Sequence, residues 1–319
     1  MSDLVAVTGG AGFIGSHLAE GFLRKGYAVR TIDNLSTGST VNLTRVKNEI
    51  DARKVDIRDL EGLTNAFQDV SIVLHHAGIA SVPRSFEDLS YTHEVNVTGS
   101  LNVLTAAIRS GVRKVIIASS SSVYGNNGAE LQAEGSPPSP LSPYALSKWM
   151  SELYAAHFAR SSSLETISFR YFNVFGPRQN VESKYAAVIP LFIRKLTEGD
   201  RPVIFGNGTQ TRDFTFIDNV VEANLRAAQG SLSSGSIMNI ATGTRTSLNE
   251  LVHLLNEIFG SHQEPVYEPA RLGDIKDSLA DISLSRDLLG DYNLTAFREG
   301  LVKTARWFLE FSGRISRCE

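Results

Sequence analysis

The segment Thr8-Gly9-Gly10-Ala11-Gly12-Phe13-Ile14-Gly15 restricts what this chain can become more than any other. It follows the apolar run Leu4 to Val7 and opens a helical pattern, Ser16 to Lys25. Glycines in a strand-turn-helix unit let the backbone come close to a pyrophosphate, which then meets N–H groups at a helix N-terminus. The same spacing also serves tight turns with no ligand, so its surroundings must decide. A second strand, Ala28 to Ile32, ends in Asp33, a carboxylate placed to accept from the adenosine ribose hydroxyls of a dinucleotide. An aspartate there repels a 2′-phosphate, which favours NAD over NADP.

Composition leaves room for this reading and removes others. With 319 residues, 42% hydrophobic and 20% charged, the chain can bury a large core and is not disordered. Met1-Ser2-Asp3 leads straight into Leu4 to Val7 with no basic region and no cleavage site, so that run reads as a buried strand. No apolar stretch reaches the roughly 20 residues of a membrane span. A net charge of -3 without a basic cluster gives no footprint for nucleic acid. The single cysteine, Cys318, permits neither an internal disulfide nor a cysteine metal cluster, no metal is expected, and a reducing cytoplasm fits.

Short β-branched runs alternate with amphipathic stretches through the first half, the pattern of βαβ units and a parallel, doubly wound α/β sheet. Strands are expected at Leu4 to Val7, Ala28 to Ile32, Ala52 to Val55, Ile72 to His75, Val115 to Ala118 and Thr166 to Tyr171. Six such strands make a Rossmann-type sheet. Asn126 to Pro143 is polar and proline-rich and reads as a surface loop, after which a helix runs from Tyr144 to about Ala159 behind a Ser142-Pro143 cap. Residues 1–175 are therefore expected to form the dinucleotide domain, with segments near 213–243 returning to it. Residues 176–319 are expected to form a smaller substrate-covering α/β domain.

Tyr144-Ala145-Leu146-Ser147-Lys148 places a phenol and an ammonium on one helix face, one turn apart. A cation beside a phenol is expected to lower its pKa from ~10 towards the range of a general base or acid. Upstream, the strand Val115 to Ala118 runs into Ser119-Ser120-Ser121-Ser122-Val123-Tyr124-Gly125, a hydroxyl cluster at the carboxyl end of a strand, where ligands of such sheets bind.

These motifs resemble those of the extended short-chain dehydrogenase/reductase family, in its NAD-dependent epimerase/dehydratase group. The resemblance implies a catalytic Ser120, Tyr144 and Lys148. It implies that Gly9, Gly12, Phe13, Ile14, Gly15, Asp33, Asn34, Asp56, Ile57, Ala77, Asn96 and Tyr171, with Tyr144 and Lys148, surround NAD. The resemblance implies that dehydratases of that group carry an Asp-Glu pair at the positions of Ser121 and Ser122, and UDP-glucuronate decarboxylases a glutamate at the second, where this chain has serine. A hydroxyl of ordinary pKa replaces neither acid nor base well, so plain C4 epimerisation is favoured.

With bacterial UDP-N-acetylglucosamine 4-epimerases the resemblance extends from Val5 to Leu289. It implies UDP-sugar contacts at Ser81, Val82, Ser120, Ser121, Ser122, Tyr144, Asn173, Ala187, Val188, Val203, Arg212, Arg271, Asp274 and Ser278. Two arginines suit a pyrophosphate by bidentate bonding. The position of Ser278 is implied to border the sugar's 2-substituent, where a small residue admits an N-acetyl group. UDP-glucuronate 4-epimerisation stays open beside this reading, as do net oxidoreduction and, in another class, a non-catalytic NAD sensor. The apolar faces of Asn96 to Arg109 and Tyr144 to His157, with the family analogy, point to a homodimer.

Overall fold

The computed structural model describes residues 3–181, 186–270 and 277–315. Its centre is a seven-stranded, all-parallel sheet: β1 Leu4–Thr8, β2 Ala28–Ile32, β3 Ile50–Arg53, β4 Ile72–His75, β5 Lys114–Ser120, β6 Glu165–Tyr171 and β7 Ser236–Ile240. The order across the sheet is β7-β6-β5-β4-β1-β2-β3. The direction of winding reverses between β1 and β4, and a crevice opens there at the carboxyl ends of the strands.

Strand alternation builds two cores from the same sheet. Val5, Val7, Leu74, Ile116, Ile167 and Phe169 bury on one face, and Ala6, Val73, Val115 and Ile117 on the other. Parallel strands covered on both faces favour apolar side chains at successive positions, which is why the runs in β1, β4 and β5 are continuous rather than alternating.

Several strand bounds differ from the sequence expectation, and a seventh strand joins the six. β3 begins two residues earlier than Ala52, because its register is set by β2, from Val29 opposite Ile50 to Ile32 opposite Arg53. β5 starts at Lys114, a charged residue in a buried strand. Its Nζ donates to the carbonyls of Ala227 and Gly230 at 2.9 and 2.7 Å, at the C-terminus of the helix Ile217–Gln229. That end carries partial negative charge, so the lysine is stabilised where an isolated cation would not be. The seventh strand, β7, lies well past Gly176, paired along β6 from Ser236 opposite Ile167 to Ile240 opposite Tyr171.

Beyond β6 the core is aromatic. Phe175 meets Phe214, Phe216 and Phe297, and Phe214 stacks on Phe297. Beside it Asp213 is fully buried and accepts from the Thr242 amide and hydroxyl and the Gly243 amide, at 2.7 to 2.9 Å. The Ala280 amide reaches the same carboxylate at 3.4 Å, so three separated segments are tied together. Burial pushes the Asp213 carboxyl up, and these hydrogen bonds oppose the shift. Among the described residues no helix is long and apolar enough to cross a membrane, and no cluster of His, Cys, Asp and Glu is placed to hold a metal ion.

Candidate active site

The glycine turn sits at the end of β1. Gly9 has φ +69°, and a Cβ there would lie 2.7 Å from the Ala77 amide nitrogen, so this turn and the loop after β4 are in contact. A Cβ on Gly15 would stand 2.1 Å from the Gly9 carbonyl oxygen. Helix Phe13–Arg24 begins after Gly12 with no side-chain cap and no acid in its first turn, which leaves its amides facing the crevice. Phe13 and Ile14 pack onto the core behind it. Asp33 leans back over the turn, accepting from the Ala11 amide at 3.0 Å and the Leu35 amide at 2.7 Å. A glycine cradle, an uncapped helix end and a carboxylate on one edge fit a dinucleotide.

Asn34 donates to Asp56 at 2.8 Å, and Arg58 grips the same carboxylate with two nitrogens at 3.0 and 2.8 Å. Those bonds hold the Asp56 carboxyl well below the usual range. Ile57 is buried beside it. Tyr171 is also buried, its hydroxyl between His76 Nε2 at 2.9 Å and Asn224 Nδ2 at 2.8 Å, and its ring stacks on His76.

Helix Pro143–Ser161 carries Tyr144 and Lys148, and its first turn is capped by Ser142, which accepts from the Ala145 amide at 3.1 Å. Asn96, buried in a π-helical turn at Glu94–Thr98, locates that helix. Its Oδ1 accepts from Ile79 N at 2.7 Å, and its Nδ2 donates to Ile79 O at 3.1 Å and Ser147 Oγ at 2.9 Å. The loop after Ala77 and the Tyr144 turn are thus braced by one amide.

Ser120 ends β5 and caps the turn Ser121–Tyr124. Its Oγ accepts from the Ser122 amide and donates to Ser122 Oγ, both at 3.1 Å. The Ser120 hydroxyl is also hydrogen-bonded to the Tyr144 phenol. Serine and tyrosine therefore meet across the gap between β5 and the helix.

The electrostatics differ from the sequence expectation. Burial pushes the Tyr144 phenol up, with the Ser120 bond opposing it. Lys148 does not offset that burial, because its Nζ donates to the Ala118 carbonyl at 2.8 Å. Burial lowers Lys148 itself to about 8.

Other expected contacts come from further along the chain. Ser81 caps the short helix Val82–Glu87, which packs against Pro143–Ser161 and leaves Val82 exposed. Asn173, at φ +34°, donates to the Asp213 carbonyl at 3.1 Å. Arg212 lies on the short strand Thr211–Arg212, and the Ser278 amide donates to the Thr211 carbonyl at 3.2 Å, bringing residues 212 and 278 side by side. Ala187 precedes the helix Val188–Thr197, and Val203 begins the strand Val203–Phe205, paired with Val266–Glu268. Arg271 and Asp274 lie outside the described residues.

Several polar residues here gave no sequence signal. Thr8 Oγ1 is 2.8 Å from His75 Nδ1, and His75 Nε2 is 2.9 Å from Ser100 Oγ, a buried chain under the crevice. Thr8 opens the glycine motif, but its bonding to His75 and, through it, to Ser100 joins positions far apart in sequence. Glu152 and Arg170 form a further buried pair, and here the i+4 spacing of Glu152 from Lys148 was a usable clue.

Comparison with known proteins bears on this arrangement. A family model described as the NAD dependent epimerase/dehydratase family matches residues 5–241. The UDP-N-acetylglucosamine 4-epimerase of Methanobrevibacter ruminantium, solved with UDP-N-acetylmuramic acid, superposes with a TM-score of 0.92 at 38% identity, over 98% of this chain and 100% of that one. The UDP-glucose 4-epimerase of Thermotoga maritima, solved with UDP-glucose, gives 0.92 at 36% identity, over 97% and 99%. A UDP-glucuronate 4-epimerase of Thermodesulfobacterium geofontis is 33% identical over 95% of each chain.

Proposed function

Because the chain belongs to the NAD dependent epimerase/dehydratase family, we propose that it inverts C4 of UDP-hexoses, accepting UDP-N-acetylglucosamine and UDP-N-acetylgalactosamine beside UDP-glucose and UDP-galactose. The observation that carries this reading is the approach of Ser120 to Tyr144, with Lys148 one turn along the same helix and hydroxyls, not carboxylates, at Ser121 and Ser122. Solved relatives that act on UDP-glucose and UDP-N-acetylglucosamine support the substrate class.

NAD, when bound, supplies the acceptor for a hydride from C4 and returns it. Gly9 to Gly15 and Asp33 would hold it by its pyrophosphate and ribose, and Tyr171 and Asn96 back its pocket from within the protein. On the substrate side, Ser120 hydrogen-bonds the sugar's 4-oxygen, and Tyr144 takes that oxygen's proton and gives it back. Lys148 stands one helical turn away, bonded to the Ala118 carbonyl in the free protein; its ammonium would favour the phenolate over the phenol once turned towards Tyr144. Elimination of water would call for a further acid and base, which Ser121 and Ser122 do not supply.

Purified protein incubated with UDP-glucose, UDP-N-acetylglucosamine or UDP-glucuronate, without added NAD, should yield the C4 epimer of the first two, read by chromatography of the products. Inversion of UDP-glucuronate alone would move the assignment to the uronic acid. Product formed only with stoichiometric NAD, with NADH accumulating, would make the protein a net oxidoreductase.

Leu146 and Leu153, seven residues apart on the Tyr144 helix, are 44% and 53% exposed, and Ile108 on the helix Gly99–Arg109 is 41% exposed. Apolar side chains gathered on neighbouring helices support a homodimer through this face. Sedimentation equilibrium should give twice the chain mass, and Leu153→Glu should give the monomer; a monomeric wild type sinks the assignment.

A further inference from the structure

Glu152 stands one turn beyond Lys148 on the same helix and is 1% exposed. A carboxylate that deep stays ionised only among strong partners. Arg170 on β6 provides two bonds, Nε to Oε1 at 2.9 Å and Nη2 to Oε2 at 2.7 Å. Ser119, immediately before Ser120, donates a third to Oε1 at 2.5 Å. The Arg170 guanidinium also lies over the Tyr124 ring, 4.6 Å from its centroid. Stability alone does not demand such a pair, since apolar residues of equal volume often serve a fold as well or better. An apolar pair would lack a negative charge one turn from Lys148.

The groups around Lys148 come from four elements. Its own helix brings Tyr144 and Glu152. β5 brings the Ala118 carbonyl and the neutral hydroxyls of Ser119 and Ser120. The end of β4 brings His75 and His76, each lowered by burial to about 3 and so uncharged near neutrality. β6 brings Arg170, turned towards Glu152. Glu152 raises Lys148 while burial lowers it.

We propose that Glu152 is a positioning residue acting through Lys148: its buried carboxylate keeps the ammonium charged one helical turn from Tyr144, and its bond to Ser119 steadies the strand end that carries Ser120. This rests on the epimerase reading, in which a phenol must give and take a proton at that place.

The test is a titration of the protein as purified, without substrate, carrying ¹³Cε-labelled lysine and followed by NMR. The Lys148 signal is assigned by its loss in Lys148→Arg. In the wild type its midpoint falls at about 8. Glu152→Gln lowers it by about 1 in pH or more, and Glu152→Asp keeps it within about 0.5 of the wild type. Glu152→Gln leaves Arg170 unpaired in the core, so the double variant Glu152→Gln/Arg170→Met is titrated beside it and shows a lowered midpoint too. A lowered Lys148 loses its proton at lower pH, so the alkaline limb of kcat/KM for a UDP-sugar moves to lower pH in the double variant. An unchanged midpoint in both variants overturns the proposal. If the midpoint moves but the wild type turns over no UDP-sugar, the epimerase reading fails and the action of Glu152 on Lys148 stands.

Discussion

Tyr144→Phe should lower kcat for C4 inversion by about 10³-fold or more while UDP-sugar affinity stays within about 3-fold, the range expected when one group carries general acid-base work. The ring of phenylalanine keeps the packing of the helix Pro143–Ser161 and removes only the hydroxyl that meets Ser120. Steady-state kinetics and calorimetric binding of UDP-sugar measure the two effects separately. The free protein holds Tyr144 above its ordinary value, because burial outweighs the Ser120 bond. The phenolate fraction therefore climbs with pH, and kcat/KM climbs with it until Lys148 gives up its charge at about 8. A Tyr144→Phe variant within tenfold of the wild type would mean that another group takes the proton.

Ser278→Tyr should shift selectivity between the plain and the acetylated sugar by about 100-fold or more, by abolishing turnover of UDP-N-acetylglucosamine and leaving UDP-glucose within a few-fold. Its backbone is bonded to Thr211, next to Arg212, an arginine expected to hold the diphosphate. A phenol ring is far larger than a hydroxymethyl group, and the resemblance places residue 278 at the sugar's 2-substituent. Filling a pocket rejects the larger substrate sterically, whereas one missing methylene discriminates by only about 10- to 200-fold. Competition between the two sugars in one reaction gives the ratio directly. Equal loss on both would show that residue 278 serves the fold and not the choice of sugar.

The sheet was legible where burial on both faces demanded unbroken apolar runs, as in β1, β4 and β5. It was obscure where polar residues are buried by partners far along the chain. β7 contains Asn239, whose amide donates to the carbonyls of Gln132 and Asp281 and whose Oδ1 accepts from Tyr124, none of them sequence neighbours. Lys114 reads as a surface residue until the helix end it caps is known. At the site, the one-turn spacing of Tyr144 and Lys148 is a local property of one helix, whereas singling out Ser120 within the hydroxyl cluster rested on the family resemblance. The direction of the Tyr144 shift is not local, since it depends on whether the ammonium bonds the phenol or the Ala118 carbonyl. Choosing between those acceptors takes three dimensions.

Asp213 gives the molecule a modular quality. Among the described residues, three of the four hydrogen bonds its carboxylate accepts come from main-chain amides, at Thr242, Gly243 and Ala280, and one from the Thr242 hydroxyl. Main-chain donors are indifferent to the side chains beside them, so this clasp survives almost any rewriting of the segment that carries Ser278. The part of the chain assigned to choosing the sugar can therefore drift, or be transplanted from a relative, while the part that handles the proton stays untouched. A lineage could change diet here without relearning its chemistry.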